Sequence, residues 1–270
     1  MGHSLSPAIH GAAFRSLGLD WVYLRFDVEP EALGAAVAGL RALGAMGANV
    51  TMPHKETVLE HLDDLSGDAR SVGAVNTIQR VGDRLIGHNT DIDGFSRMVV
   101  EDVGLDVAGT RCLVLGAGGA ARAAVRALER LGAGGVTVAA RRVEQAERVA
   151  AVADGTNANT LGWDEAERKL GAFDVVVNAT PLGMKGELAI ASEGLGPSHV
   201  VLDLIYDPPT TPLVAAARAA GARAWSGLGM LVHQAAASFR IWTGSEPPVE
   251  AMSAAALHAV GRRDPRTESR

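Results

Sequence analysis

The 270-residue chain contains a single cysteine, Cys112. That excludes an internal disulfide and a metal site built from several thiolates. Cys112 lies in Thr110-Arg111-Cys112-Leu113-Val114-Leu115, an apolar run that predicts a buried strand position. No apolar run approaches the roughly 20 residues a membrane-spanning helix needs, and Met1-Gly2-His3 does not open a signal peptide. There is no basic excess: the formal net charge is -6, which argues against nucleic acid as a partner. The eight histidines show no metal-like clustering, and most are expected to be surface or capping groups. With 47% hydrophobic and 21% charged residues, the composition is that of a soluble globular protein, with a cytoplasmic location expected. The length allows one large or two ordinary domains.

Lysine is nearly as scarce as cysteine. The chain has 22 arginines but only Lys55, Lys169 and Lys185. Where a permanent positive charge suffices, arginine serves; a lysine can be tuned to release its proton. Lys55 closes the stretch Asn49-Val50-Thr51-Met52-Pro53-His54-Lys55, in which polar residues and a proline end an apolar run. It is the first candidate for proton transfer. A surface lysine near a helix start is the plainer alternative.

The first part of the chain mixes helical and extended patterns. Pro7 to Leu17 reads as a helix, with Ser6 as its cap and Pro7 at its first position. Trp21 to Asp27 reads as a strand, and Pro30 to Leu43 as a helix with Leu33, Val37 and Leu40 on one face. Met46 to Val50 reads as a short buried strand. Ala74 to Gln79 and Arg84 to His88 form a strand pair about the turn Val81-Gly82-Asp83, and Asp91 to Val103 is helical. From Gly109 onward a βαβ unit appears: strand 110–115, helix 119–131, strand 135–140. Strands Phe173 to Asn178, His199 to Leu204 and Arg223 to Trp225 follow, with helices 143–153 and 211–219 among them. This alternation predicts an α/β fold with a parallel sheet covered on both faces. Helices 228–242 and 248–260 come last. The charged tail, which contains Pro265, is expected to be mobile.

The segment Leu113-Val114-Leu115-Gly116-Ala117-Gly118-Gly119-Ala120-Ala121 follows a strand and opens a helix. Gly116, Gly118 and Ala121 match the dinucleotide fingerprint. The first glycine permits a tight turn, the second lets a pyrophosphate approach the backbone, and Ala121 permits close helix–sheet packing. The phosphates would rest on the free amides of the helix N-terminus, around Gly119 and Ala120. At the end of the second strand, where an NAD site usually carries a carboxylate, the chain has Ala140-Arg141-Arg142. Two guanidiniums suit the 2′-phosphate of NADP. A solvated basic helix start is the alternative, and it would oppose the helix dipole.

Further polar clusters occur where apolar segments end: His3-Ser4-Leu5-Ser6-Pro7, Gly73-Ala74-Val75-Asn76-Thr77, His88-Asn89-Thr90-Asp91-Ile92-Asp93-Gly94, and Gly227-Leu228-Gly229-Met230-Leu231-Val232-His233-Gln234. Neutral donors and acceptors dominate, which suits a small polyhydroxylated ligand. Together with the lysine stretch, from His3 to about Gly244, these motifs resemble the shikimate dehydrogenase family. The resemblance implies reversible NADP-linked reduction of 3-dehydroshikimate to shikimate, in aromatic amino-acid biosynthesis. It also implies a split architecture. A substrate domain at 1–93 is completed by 227–262, around a Rossmann-type NADP-binding domain at 94–226, with a tail at 263–270.

Carried over by motif, Ser4 and Ser6 would hold the substrate carboxylate, and Asn49, Thr51, Asn76, Asp91 and Gln234 the ring hydroxyls. Lys55 and Asp91 would form the catalytic pair. Tyr206, in Asp203-Leu204-Ile205-Tyr206-Asp207-Pro208, resembles the family tyrosine near the substrate. The glycine turn Gly116-Ala117-Gly118-Gly119-Ala120, with Arg141, Arg142, Asn178, Thr180, Gly227 and Met230, would bind the cofactor. No metal is needed, because the cofactor carries the hydride. Helix or turn capping remains a structural alternative, or an addition, for Ser6 and Thr51.

The chain also departs from the family pattern. The family normally has a strand before its His-Ser-x-Ser-Pro motif, where here only Met1-Gly2 stand, so this form is expected to be less stable than one carrying that strand. Ala140-Arg141-Arg142 replaces Asn-Arg-Thr, Pro181 replaces a serine, and Ser226 stands where the family often has Asp. The competing readings are a relative preferring quinate or another cyclitol acid, with NADP or NAD, and a non-catalytic sensor of shikimate-like ligands. The expected partner is the small-molecule substrate, with neither nucleic acid nor membrane involved, and the chain would act as a monomer or homodimer.

Overall fold

The computed structural model describes residues 4–155 and 157–262. The expected short start at Met1 to His3 and the expected mobile tail at 263–270 lie outside the described residues. The chain divides into two compact units, one running to Gly94 and resuming at Val232, the other spanning Phe95–Leu231.

The first unit opens with helix α1 (Ser6–Ser16). Its first residues differ from expectation. Leu5 occupies the cap position without a side-chain bond, and Ser6 already lies inside the helix. The stretch from Trp21 to Asp27, expected to be a strand, forms none. Its alternation is real. Trp21 packs on Phe14, with ring centroids 5.6 Å apart, and Tyr23 stacks on His10, while Val22, Leu24 and Phe26 face outward at 79%, 64% and 66% exposure. The backbone, however, enters neither sheet, and a strand is defined by its ladder rather than its side-chain pattern. The expected helix from Pro30 begins as a 3₁₀ turn, Pro30–Ala32, before α2 (Leu33–Ala42).

Strand β1 (Gly47–Asn49) leads into the lysine loop and a 3₁₀ turn, Thr57–His61. Then come β2 (Asp64–Leu65) and α3 (Gly67–Val72), which Ser66 caps at Ala69 N and Gly73 ends in a left-handed conformation. The hairpin of β3 (Thr77–Val81) and β4 (Arg84–His88) turns at Gly82, whose φ is +63°. The sheet order is β1-β3-β4-β2, with only the β2–β4 pair parallel. Leu33, Val37, Val58, Ala69, Val75, Ile78 and Leu85 form the core beneath it.

Helix α4 (Asp91–Arg97) continues into a π turn, Met98–Asp102, where a single α-helix was expected. The second unit is a parallel sheet built from β5 (Arg111–Leu115), α5 (Gly119–Arg130), β6 (Gly135–Ala140), α6 (Val143–Ala150), β7 (Ala158–Gly162), α7 (Trp163–Arg168), β8 (Val175–Asn178), β9 (Val200–Asp203), α8 (Pro212–Ala219) and β10 (Arg223–Ser226). The six strands run in the order β10-β9-β8-β5-β6-β7, all pairs parallel. Every residue of β8 and β9 is buried, as expected of strands covered on both faces. The order reverses between β5 and β8, the switch point where such sheets bind ligands.

The chain closes with α9 (Leu228–Thr243) and α10 (Val249–Gly261). In the first unit α10 packs on α1. No helix among the described residues is long and apolar enough to cross a membrane.

Candidate active site

In the first unit the lysine loop is tied to the strand beside it. Val75 N donates to Lys55 O at 2.8 Å, and Val50 N donates to Asn76 O at 2.8 Å. Lys55 and Asn76 are thereby fixed near each other, although 21 positions separate them in the chain. The peptide bond Met52–Pro53 is cis. His54, buried, makes a 2.8 Å contact through Nε2 to Val28 O. Lys55 Nζ donates to Asp91 Oδ2 at 2.6 Å, with side chains 18% and 7% exposed.

The other oxygen of Asp91 is also taken. Asn76 Nδ2 donates to Asp91 Oδ1 at 2.9 Å. A carboxylate met by a donor on each oxygen is held as an acceptor and is not free to rotate. Asn76 is itself oriented: its Oδ1 accepts from Thr90 N at 2.7 Å, and its Nδ2 reaches Gln234 Oε1 at 3.4 Å. Asn49 belongs to the same network. Its Nδ2 donates to Asn76 O, Thr77 Oγ1 and Ser238 Oγ at 3.0–3.1 Å. Ser238 Oγ donates to Gln234 O at 3.0 Å, so it accepts from Asn49. Thr77, Thr90 and Ser238 are all almost wholly buried.

Tyr23 completes the arrangement, donating to Asn49 Oδ1 at 2.8 Å. Burial pushes its phenol up to about 12, with a hydrogen bond to Ser6 opposing. It therefore stays protonated and donates. Ser4 Oγ accepts from Ser6 N at 3.3 Å, and Ser6 makes no helix cap. Thr51 is exposed, and its carbonyl accepts from His54 N at 2.9 Å. Tyr23 and the hydroxyl cluster were not picked out in the sequence. The available signal was that Tyr23 and Tyr206 are the only tyrosines in the chain.

The histidines depart from expectation: His10, His54, His199 and His233 are buried. His10 stacks flat on Tyr23 at 4.5 Å and 4°. Burial lowers it to about 3, with a hydrogen bond to Asn49 opposing, so the ring is neutral and packs as an aromatic plate.

In the second unit Gly116 turns at φ +113°, and a Cβ there would stand 3.0 Å from Ala179 O. Gly118 is different. Its φ of -98° suits any residue, and a Cβ would meet nothing within 4 Å. That open space precedes α5, whose first turn has no side-chain cap, leaving the amides around Gly119 and Ala120 for an anion. Ala117 is partly buried in the turn. Arg141 and Arg142 are exposed just after β6, and Arg141 lines a depression of about 410 Å³ with Gly162, Trp163, Asp164, Glu165 and Arg168. These features fit a dinucleotide: a tight turn, an uncrowded glycine, free helix amides and exposed guanidiniums.

Asn178 is fully buried, and its Oδ1 accepts from Thr180 N and Thr180 Oγ1 at 3.1 and 2.6 Å. Its side chain shapes the loop after β8. Tyr206 is partly buried after β9, and Met230 is buried. At Gly227 a Cβ would lie 2.2 Å from Leu204 O, so only glycine fits.

One unit carries a glycine turn at the switch point of a parallel sheet, and the other a lysine–carboxylate pair set among amides and hydroxyls; each is a feature expected of a dinucleotide-dependent oxidoreductase. Family models agree in detail. The shikimate dehydrogenase substrate binding domain matches residues 1–78, shikimate / quinate 5-dehydrogenase matches 98–185, and the shikimate 5'-dehydrogenase C-terminal domain matches 227–257. The NADP(+)-dependent shikimate dehydrogenase of Methanopyrus kandleri is 46% identical, over 94% of this chain and 91% of that protein. A shikimate dehydrogenase solved with NADP+ superposes with a TM-score of 0.89 at 39% identity, covering 96% of this chain and 92% of its own. The Thermus thermophilus enzyme, solved with NADP(H) and shikimate, gives 0.86 at 36% identity, covering 96% and 95%. The chain belongs to the shikimate dehydrogenase family.

Proposed function

We propose that Lys55 and Asp91 are the catalytic pair of this enzyme, with Lys55 carrying the proton and Asp91 holding it in place. The protein is an oxidoreductase that interconverts shikimate and 3-dehydroshikimate with NADP, a step of aromatic amino-acid biosynthesis. The observation that carries the residue-level reading is the 2.6 Å contact between Lys55 Nζ and Asp91 Oδ2, with Asn76 on the opposite oxygen.

NADP, when bound, supplies the hydride acceptor. In the oxidation direction Lys55 takes the proton from the substrate hydroxyl. In reduction it stabilises the developing alkoxide and returns the proton. Asp91 holds the Lys55 side chain aimed during reduction. Ser4 and Ser6 hold the substrate carboxylate, and Asn49, Thr51, Asn76, Asp91 and Gln234 its hydroxyls, with Tyr206 beside it. Gly116 to Ala120 and the α5 amides hold the pyrophosphate. Arg141 and Arg142 hold the 2′-phosphate by charge-assisted hydrogen bonds. Asn178, Thr180, Gly227 and Met230 complete the cofactor side.

The segment to residue 93, with 227–262, serves as the substrate domain, and 94–226 as the NADP domain. The protein works in the cytoplasm as a monomer or homodimer. Initial rates of reduced-cofactor formation test the assignment, with shikimate and quinate each paired with NADP and with NAD. Turnover confined to shikimate with NADP is the expected outcome. Equal turnover of quinate would widen the substrate class, and binding of shikimate without turnover would mark a sensor.

A further inference from the structure

Asp203 ends β9 with no exposure to solvent. Three donors meet its carboxylate, and all are neutral. Asn178 Nδ2 donates to Oδ1 at 2.9 Å, Ile205 N to Oδ1 at 3.1 Å, and Thr211 Oγ1 to Oδ2 at 2.6 Å. Burial raises its pKa from the ordinary aspartate value, and the same three hydrogen bonds oppose that rise. A buried acid with no cation beside it among the described residues is a costly choice for stability alone, since a neutral side chain could fill the site. Its contacts indicate what it serves.

Through Asn178 the carboxylate reaches the loop after β8. Asn178 also donates to Leu182 O at 3.0 Å and accepts from both Thr180 N and Thr180 Oγ1, and Thr180 Oγ1 in turn accepts from Leu182 N at 3.1 Å. The loop so folded sets Ala179 O and Thr180 Cγ2 against Gly116, 3.0 and 3.1 Å from where a Cβ would stand. Ala179 N donates to Leu115 O at 2.8 Å, which ties the loop to the strand that delivers the glycine turn. Through Thr211, which also caps α8 by accepting from Val214 N at 3.2 Å, the carboxylate fixes the helix after β9.

We infer that Asp203 is a positioning residue for NADP: its buried carboxylate orients the Asn178 amide, and that amide holds the 178–182 loop as the side wall of the Gly116 turn. The inference rests on reading this unit as the NADP site. The carboxylate acts through Asn178 and does not itself touch the cofactor. An asparagine in its place keeps one acceptor oxygen for Asn178 Nδ2 and Ile205 N, while the Thr211 hydroxyl can rotate away. An alanine removes the acceptor altogether.

The test is the dissociation constant for NADP, read by titration calorimetry on the full chain, with the melting temperature and the KM for shikimate at saturating NADP alongside. Asp203→Ala should weaken NADP about tenfold, roughly 1.4 kcal/mol, and leave the KM for shikimate within about twofold. Asp203→Asn should restore the affinity to within about threefold. Asp203→Ser, which keeps a hydroxyl but is too short to reach both Asn178 and Thr211, replaces the alanine variant if that one does not fold. A folded Ala or Ser variant with wild-type NADP affinity overturns the inference. So does failure of both to fold, which would make Asp203 structural only. Failure of the wild-type chain to bind NADP would instead strike at the cofactor assignment beneath it.

Discussion

Asn76 Nδ2 donates to Asp91 Oδ1 at 2.9 Å, so this carboxylate is pinned on the side opposite Lys55. The pair therefore depends on a third side chain. Asn76→Ala should leave Lys55 and Asp91 in contact but let the carboxylate rotate, costing about 10–100-fold in kcat/KM for shikimate, as lost positioning does. The KM for NADP should not move. An unchanged kcat/KM would show that Asp91 needs no second partner.

The glycines of the nucleotide turn divide into two kinds. Gly116 lies at φ +113° with a neighbouring carbonyl 3.0 Å from any Cβ, so Gly116→Ala should destabilise the fold by about 1–3 kcal/mol. Gly118 has ordinary dihedrals and open space, so Gly118→Ala should cost at most about 1 kcal/mol of stability. Its methyl would fill the place where a pyrophosphate approaches, weakening NADP roughly tenfold or more. Chemical denaturation and NADP titration on both variants separate the two roles. A Gly118→Ala protein with full NADP affinity would put the phosphates elsewhere.

We assign the cofactor preference to Arg141 and Arg142, which are exposed just after β6. Replacing both with Ala should weaken NADP on the order of 10–100-fold, as expected from losing charge-assisted bonds to a phosphate, and change NAD little. Equal losses for the two cofactors, measured by titration, would remove the 2′-phosphate from these side chains.

His10 gives the fold an acid sensitivity. Its folded pKa of about 3 lies below the ordinary histidine value of 6.5. Below pH 6.5 the unfolded chain binds a proton that the folded protein refuses. Stability is therefore lost as pH falls from about 6.5 toward 3, by about 1.4 kcal/mol per pH unit at most. His10→Phe keeps a ring against Tyr23 and should remove this component. Denaturant unfolding at pH 7 and pH 5 on both proteins measures it; identical pH dependence would mean that His10 does not contribute.

Much of this was legible in the sequence because the signals are local. Arg111–Leu115, the glycine turn and α5 carry their own pattern, and the scarcity of lysine singles out Lys55. What escaped depends on contacts distant in the chain. The strand β7, Ala158-Asn159-Thr160-Leu161-Gly162, has no apolar run and is held by its pairing with β6. Trp21 to Asp27 has the alternation of a strand and lacks the partner. Asp203 and Ser238 reveal their roles only through partners such as Asn178, 25 positions away, and Asn49, 189 positions away. Nothing near His10 in sequence announces its packing against Tyr23 and Trp242, whose ring lies 5.2 Å away.

The most direct measurement is the initial rate of NADPH formation from shikimate by the wild-type protein and by Lys55→Ala, side by side, with NADP affinity measured on both. Wild-type turnover should fall about 10²–10⁴-fold in the variant, the range expected for loss of a general acid–base group, with NADP binding unchanged. Equal rates in the two proteins would contradict the assignment of Lys55.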